Sequence, residues 1–177
     1  MLTVLLGGAR SGKSTAALRL AEHQTQTVVF VATSPHIPGD VDLADRIAGH
    51  RAERPASWVT IEAEVDLVDA VAGADRTSFL IVDCLTVWLG NLMHHGYDDG
   101  AIGGASAAAL AAVRDRAGHT VVVSNEVGFG IVPADAVSRR YRDLLGRINQ
   151  QWVADSDRAH LLIAGRALDL VDLVALS

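Results

Sequence analysis

Leu2-Thr3-Val4-Leu5-Leu6-Gly7-Gly8-Ala9-Arg10-Ser11-Gly12-Lys13-Ser14 decides how the rest of the chain is read. The first five residues are a short, mostly apolar run, which suits a buried strand. The next eight fit G-x-x-x-x-G-K-[ST] with Gly7, Gly12, Lys13 and Ser14 at the fixed positions. Glycines allow a turn tight enough for successive N–H groups to face one anion. Residues 15–22 then read as a helix whose positive end points at the same phosphates. Lys13 is placed to reach the β- and γ-phosphates, and the Ser14 hydroxyl to ligate Mg2+. Lys13 is also the only lysine in the chain. A sequence that otherwise uses arginine keeps one compact, flexible ammonium where a planar guanidinium would not substitute.

At 177 residues the chain reads as a single domain, 1–177, large enough for a substantial core. Half of it is hydrophobic and only 5% aromatic, so Val, Leu, Ile and Ala must build that core. A net charge of −6 argues against a protein that binds nucleic acid by neutralising phosphates. The lone Cys84 precludes an intrachain disulfide and favours a reducing compartment. No apolar stretch nears the ~20 residues of a membrane span. The expected location is the cytoplasm.

Working outward, residues 27–33 form a second β-rich run that ends before Ser34-Pro35. Two strands joined by a helix make a βαβ unit and imply a parallel sheet. Ala32, Thr33 and Ser34 then fall at its carboxyl edge, beside the nucleotide. Residues 40–50, 65–72, 85–94 and 105–117 read as helices, and 58–61, 120–124 and 159–164 as strands. Tyr97-Asp98-Asp99-Gly100 and Gly103-Gly104 read as a loop, and 168–176 as an edge strand. Phe79-Leu80-Ile81-Val82-Asp83 is a buried strand delivering a carboxylate, the acid that accompanies a phosphate loop in the metal shell. Val137, Tyr141, Leu144, Leu145, Ile148 and Trp152 share one helix face, while Arg139, Arg142 and Arg147 fall on others and read as solvated. The fold expected is α/β: a RecA-like P-loop NTPase with a mostly parallel sheet, helices on both faces and an antiparallel C-terminal edge strand.

Longer blocks carry a more specific signal. Besides the phosphate loop they are Val31-Ala32-Thr33-Ser34, residues 46–58 (Arg46-Ile47-Ala48-Gly49-His50-Arg51-Ala52-Glu53-Arg54-Pro55-Ala56-Ser57-Trp58) and Val82-Asp83-Cys84-Leu85-Thr86. Residues 124–133 (Ser124-Asn125-Glu126-Val127-Gly128-Phe129-Gly130-Ile131-Val132-Pro133) and 141–150 complete the set. In this order the blocks resemble the bifunctional adenosylcobinamide kinase / adenosylcobinamide-phosphate guanylyltransferase family of cobalamin biosynthesis.

The resemblance implies two reactions. ATP or GTP phosphorylates adenosylcobinamide, and GMP is then transferred from GTP to adenosylcobinamide phosphate through a guanylylated histidine, matched here by His50. A neutral imidazole is a ready nucleophile near pH 7, its reference pKa being about 6.5. The nucleotide set implied is Gly7, Gly8, Ala9, Arg10, Ser11, Gly12, Lys13, Ser14, Ala32, Thr33, Ser34, His50, Arg51, Ala52, Glu53, Glu62 and Asp83. Lys13 and His50 are catalytic, and Ser14 and Asp83 hold Mg2+, the latter directly or through water. A homotrimer is implied as well. Gly49 and Asp83 depart from relatives that carry His and Glu there, yet neither removes a required group. His36, His94, His95, His119 and His160 fit no ligand spacing.

Two rivals share the loop. One is a kinase of another small hydroxylated metabolite, in which His50 is dispensable. The other is a RecA-like ATP-binding module that drives a partner protein. A guanine-reading switch is disfavoured because no Asn-Lys-x-Asp is present.

Overall fold

A computed structural model of the chain describes residues 1–35, 49, 51 and 54–172. In chain order the described elements begin β1 (Leu2–Gly7), α1 (Lys13–Glu22), β2 (Val28–Ala32) and β3 (Val59–Glu62). Next come α2 (Leu67–Gly73), β4 (Phe79–Asp83), α3 (Leu85–His94) and α4 (Asp99–Arg114). The last are β5 (Thr120–Val123), α5 (Ala136–Ala154), β6 (Arg158–Ile163) and β7 (Arg166–Asp169). The strands form one sheet in the order β3-β2-β4-β5-β1-β6-β7, parallel except where β7 runs against β6.

Each central strand is buried on both faces, so it reads as a continuous apolar run. Its side chains nevertheless divide by the two-residue period. Leu5, Phe30, Ile81, Val123 and Leu162 point to one face, where Ala17 and Ala21 of α1 pack on them. Val4, Val31, Val82 and Val122 point to the other, under Leu89, Leu110, Leu145 and Trp152 of α3, α4 and α5. The two fully buried tryptophans both satisfy their indole N–H, Trp88 on the Val65 carbonyl at 2.9 Å and Trp152 on the Ser106 hydroxyl at 3.1 Å.

Two sequence expectations need correction. Residues 99–104 are helical, because Asp98 caps α4 by accepting the Ala101 N–H at 2.8 Å and Ile102 and Ser106 are buried beneath it. The glycines that suggest a loop lie on that helix, which ends at Arg114 rather than 117. The edge strand starts at Arg166, since Ala164 and Gly165 both adopt positive φ and turn the chain within two residues. The helix expected over 40–50 lies outside the described residues. No helix among the described residues is long and apolar enough to cross a membrane.

Candidate active site

Strand register sets the layout. Glu62 lies opposite Ala32, Ala32 opposite Asp83, and Asp83 opposite Val123, which pairs with Leu5. The sequence-predicted Glu62, Ala32 and Asp83 therefore stand in one row across three strands, and β1 runs two residues further to open the phosphate loop at Gly7. Thr33 and Ser34 follow on the same edge.

The loop turns at Gly7 and Gly12, whose φ values of 151° and 99° disfavour an L side chain. A Cβ at Gly7 would collide with the Leu162 carbonyl, and one at Gly12 would sit 3.2 Å from the Gly165 Cα. Lys13 leaves the first turn of α1 and folds back into the loop. Its Nζ donates to the Gly7 carbonyl at 2.8 Å and the Gly8 carbonyl at 2.7 Å, with the Ser11 hydroxyl at 3.4 Å, and the residue is only 6% exposed. Burial lowers the ammonium below its ordinary pKa, while the Cys84 thiolate and the Asp83 carboxylate oppose that. Burial chiefly, and then Asp83, push the Cys84 thiol up to about 11. Ser14, half-buried, is the next residue of the same turn.

The end of β4 is held rigidly. The Thr33 hydroxyl donates to the Cys84 carbonyl at 2.9 Å and accepts the Cys84 N–H at 2.8 Å. The Thr33 N–H reaches the Asp83 carbonyl at 3.2 Å. Asn91, buried on α3, donates to the carbonyls of Thr33 and Glu64 at 2.8 and 2.9 Å and so fixes the exits of β2 and β3 together. Sequence reasoning passed over Asn91. Its signal is an amide on the apolar face of residues 85–94.

Beyond β5 a polar network organises the segment 124–133. The Ser124 hydroxyl donates to the Asn149 side-chain carbonyl at 2.7 Å, and the Asn149 amide donates to the Asn125 carbonyl at 3.0 Å. Thr86 accepts the Asn125 N–H at 2.7 Å, and the Tyr141 hydroxyl donates to the Thr86 carbonyl at 2.9 Å. Burial, with the Cys84 charge, raises the Tyr141 phenol to about 12. The Glu126 N–H donates to the Gly7 carbonyl at 3.1 Å, tying this segment to the phosphate loop. From there Phe129, Ile131 and Val132 project outward, 82%, 97% and 61% exposed, a run of apolar surface at the edge of the site.

The remaining candidates fall elsewhere. Arg51 is described and exposed, whereas His50, Ala52 and Glu53 lie outside the described residues. Arg139 donates to the carbonyls of Pro133 and Ala134, and Arg142 pairs with Asp143 on the surface. Three of the unassigned histidines are structural: His119 pairs with the Thr3 hydroxyl, His95 with Glu64 and His160 with Asp169. Among the described residues no cluster of three His, Cys, Asp or Glu groups is placed to hold a metal. Mg2+ takes one or two protein oxygens and keeps several waters. Ser14 and Asp83 are hard oxygen donors of that kind, and Asp83 is close enough for Lys13 to feel its charge.

A phosphate loop at the carboxyl edge of a parallel sheet, facing an acid two strands away, makes this a P-loop nucleotide-dependent enzyme. An ATPase of the type III secretion system of pathogenic bacteria shares the fold at a TM-score of 0.55 and 12% identity, the match covering 99% of this chain and 60% of that one. The RadB recombinase shares it at 0.50 and 15%, over 90% and 73%. Within that class the chain belongs to the cobinamide kinase / cobinamide phosphate guanyltransferase family, whose profile matches residues 3–170. It is 39% identical to the bifunctional adenosylcobalamin biosynthesis protein CobP of Pseudomonas aeruginosa, over 96% of this chain and 97% of that protein. Identity to the bifunctional adenosylcobalamin biosynthesis protein CobU is 34% in both Escherichia coli and Salmonella typhimurium, over 93% of this chain and 97% of each.

Proposed function

We propose that the chain phosphorylates adenosylcobinamide with ATP or GTP and then guanylylates the product. The observation that carries this is Lys13 held inside its own loop beside Asp83, in a chain of this family. In the first step a hydroxyl oxygen of the corrinoid side chain attacks the γ-phosphorus, loses its proton and displaces the nucleoside diphosphate. In the second, a ring nitrogen of His50 attacks the α-phosphorus of GTP and the bond to pyrophosphate breaks. The phosphate oxygen of adenosylcobinamide phosphate then attacks the same phosphorus, the P–N bond breaks, and adenosylcobinamide-GDP leaves with the imidazole restored.

Lys13 supports both steps by balancing charge on the β- and γ-phosphates, at the positive N-terminal end of α1. Thr33, Ser34, Arg51, Ala52, Glu53 and Glu62 complete the nucleotide contacts, with Ala32 and Asp83 at the edge of the sheet. Ser14 and Asp83 would hold Mg2+, which when bound would neutralise phosphate charge and polarise the phosphorus. The exposed Phe129, Ile131 and Val132 support an acceptor larger than an ordinary small metabolite. By the same family likeness the enzyme works as a homotrimer in the cytoplasm.

Incubating the protein with Mg2+ and GTP labelled at the α-phosphate tests this. Acid-labile, alkali-stable label on the wild type and none on His50→Ala is the expected result. No label on a wild type that binds GTP would leave a plain P-loop kinase or ATPase.

A further inference from the structure

A cleft of about 580 Å³ runs beside α1 on the side away from Glu62, Ala32 and Asp83. Its floor is apolar, from Leu5, Ala16 and Leu162. One wall is α1, exposing Thr15, Arg19 and His23, and the other is the β6–β7 hairpin with His160 and Ala167. At one end the lining includes Arg10 and Gly12, which belong to the phosphate loop. From Gly12 to His23 the helix extends for about 16 Å at ~1.5 Å per residue. The hairpin wall is anchored to the loop, because the Gly165 N–H donates to the Ser11 carbonyl at 2.9 Å.

We infer that this cleft seats the nucleoside of the phosphoryl donor in the kinase step, on the opposite flank of the phosphate loop from the residues proposed for guanylyl transfer. The inference rests on the proposed function. Three observations carry it. The cleft is continuous with the loop, so a nucleotide with its β- and γ-phosphates there can run straight into it. Its floor is apolar and its rim cationic, with Arg10 and Arg19 and no carboxylate among the described lining residues, which suits a flat base stacked under a guanidinium. The sheet order puts β6 and β7 on one side of β1 and β2, β3 and β4 on the other, so the cleft and the Glu62–Ala32–Asp83 row lie on opposite sides of β1.

This arrangement answers a geometric problem. Both reactions require the β- and γ-phosphates on one loop with one lysine. Phosphorylation exposes the γ-phosphorus to the acceptor, whereas guanylyl transfer must bring the α-phosphorus to a histidine. Two directions for the nucleoside, leaving one common seat for the phosphates, satisfy both.

The test is calorimetric titration of β,γ-methylene ATP and, separately, of inorganic tripolyphosphate into wild type, Ala167→Trp and Arg19→Ala. Ala167 is exposed on the edge strand, so the indole fills the cleft without entering the core. The expected result is at least a tenfold loss of affinity for the ATP analogue in Ala167→Trp, a smaller loss in Arg19→Ala, and unchanged tripolyphosphate binding in both. Guanylylation by α-labelled GTP should keep its wild-type KM. Unchanged affinity for the analogue overturns the inference, as does an equal loss for tripolyphosphate or a parallel rise in the GTP KM, which means one shared seat. If the wild type takes no label from GTP, the proposed function falls, while the comparison of analogue with tripolyphosphate still decides the cleft.

Discussion

The side-chain carbonyl of Asn149 accepts the Ser124 hydroxyl at 2.7 Å, and through this bond the long helix α5 grips the strand that leads into the active-site edge. The same amide donates to the Asn125 carbonyl. Asn149→Leu leaves both partners short of a hydrogen bond, at a cost of about 1–3 kcal/mol. Urea unfolding should show that loss as a lower midpoint with the slope unchanged. A midpoint equal to wild type would mean that the network contributes nothing to stability.

Lys13→Arg should retain the fold and lose turnover. The ammonium donates to two carbonyls of its own loop, a compact point-charge contact that a planar guanidinium does not reproduce. Losing this contact to the phosphates is expected to lower kcat about 10²-fold or more. Steady-state kinetics with ATP, alongside circular dichroism, checks it; a variant within tenfold of wild type would remove Lys13 from the chemistry.

Cys84 should be nearly inert. With its pKa raised from 9.0 to about 11, its thiolate fraction at pH 8 is about a hundredfold below that of an ordinary thiol. Alkylation by iodoacetamide, followed by intact mass, should be at least that much slower in the native protein than in urea. Equal rates would contradict the raised pKa.

His119 gives stability a pH dependence of definite sign. Burial, chiefly, lowers its pKa in the folded protein, with the N-terminal ammonium and Arg158 adding to that effect. Between the lowered value and the ordinary ~6.5 the unfolded chain binds more protons, so stability rises with pH there. Its contribution is whole above pH 6.5 and is lost as the pH falls toward the folded pKa. Urea midpoints should therefore decline from pH 7 to pH 5, and less steeply in His119→Gln. An equal slope in the variant would assign the decline to other groups.

Gly103 and Gly104 are exposed on α4, and a Cβ at either meets nothing within 4 Å. Gly103→Ala and Gly104→Ala should each stabilise the protein by roughly 0.5–1 kcal/mol, because alanine gives up less chain entropy in a helix. Thermal unfolding midpoints would rise. A fall would mean that the helix needs glycine for a contact outside the described residues.

These glycines also show where sequence reading stops. Residues 2–14 and 79–83 were legible because a buried parallel strand and a phosphate loop each impose a local pattern. The helix at 99–104 was not, because its stability comes from Ile102 and Ser106 under α5 and from the Asp98 cap, which outweigh three glycines. The edge strand was displaced because a two-residue turn at Ala164-Gly165 depends on positive φ at an alanine. Glu62, Ala32 and Asp83 could each be named, but that they share one row follows only from register. Asn91 and Asn149 act through partners distant in sequence, which no local pattern reveals.

The place of β1 in the sheet has a consequence for synthesis. Its strand partners are β5 and β6, and the Leu2 N–H bonds to Asp157, 155 residues away. β1 is thus enclosed on both edges only once β6 has been made, and the glycine-rich turn it carries cannot be braced by Leu162 and Gly165 before then. Protease accessibility of β1 in stalled nascent chains of increasing length should end only once β6 is exposed. A phosphate loop braced in this way is complete only after the sixth strand has been synthesised.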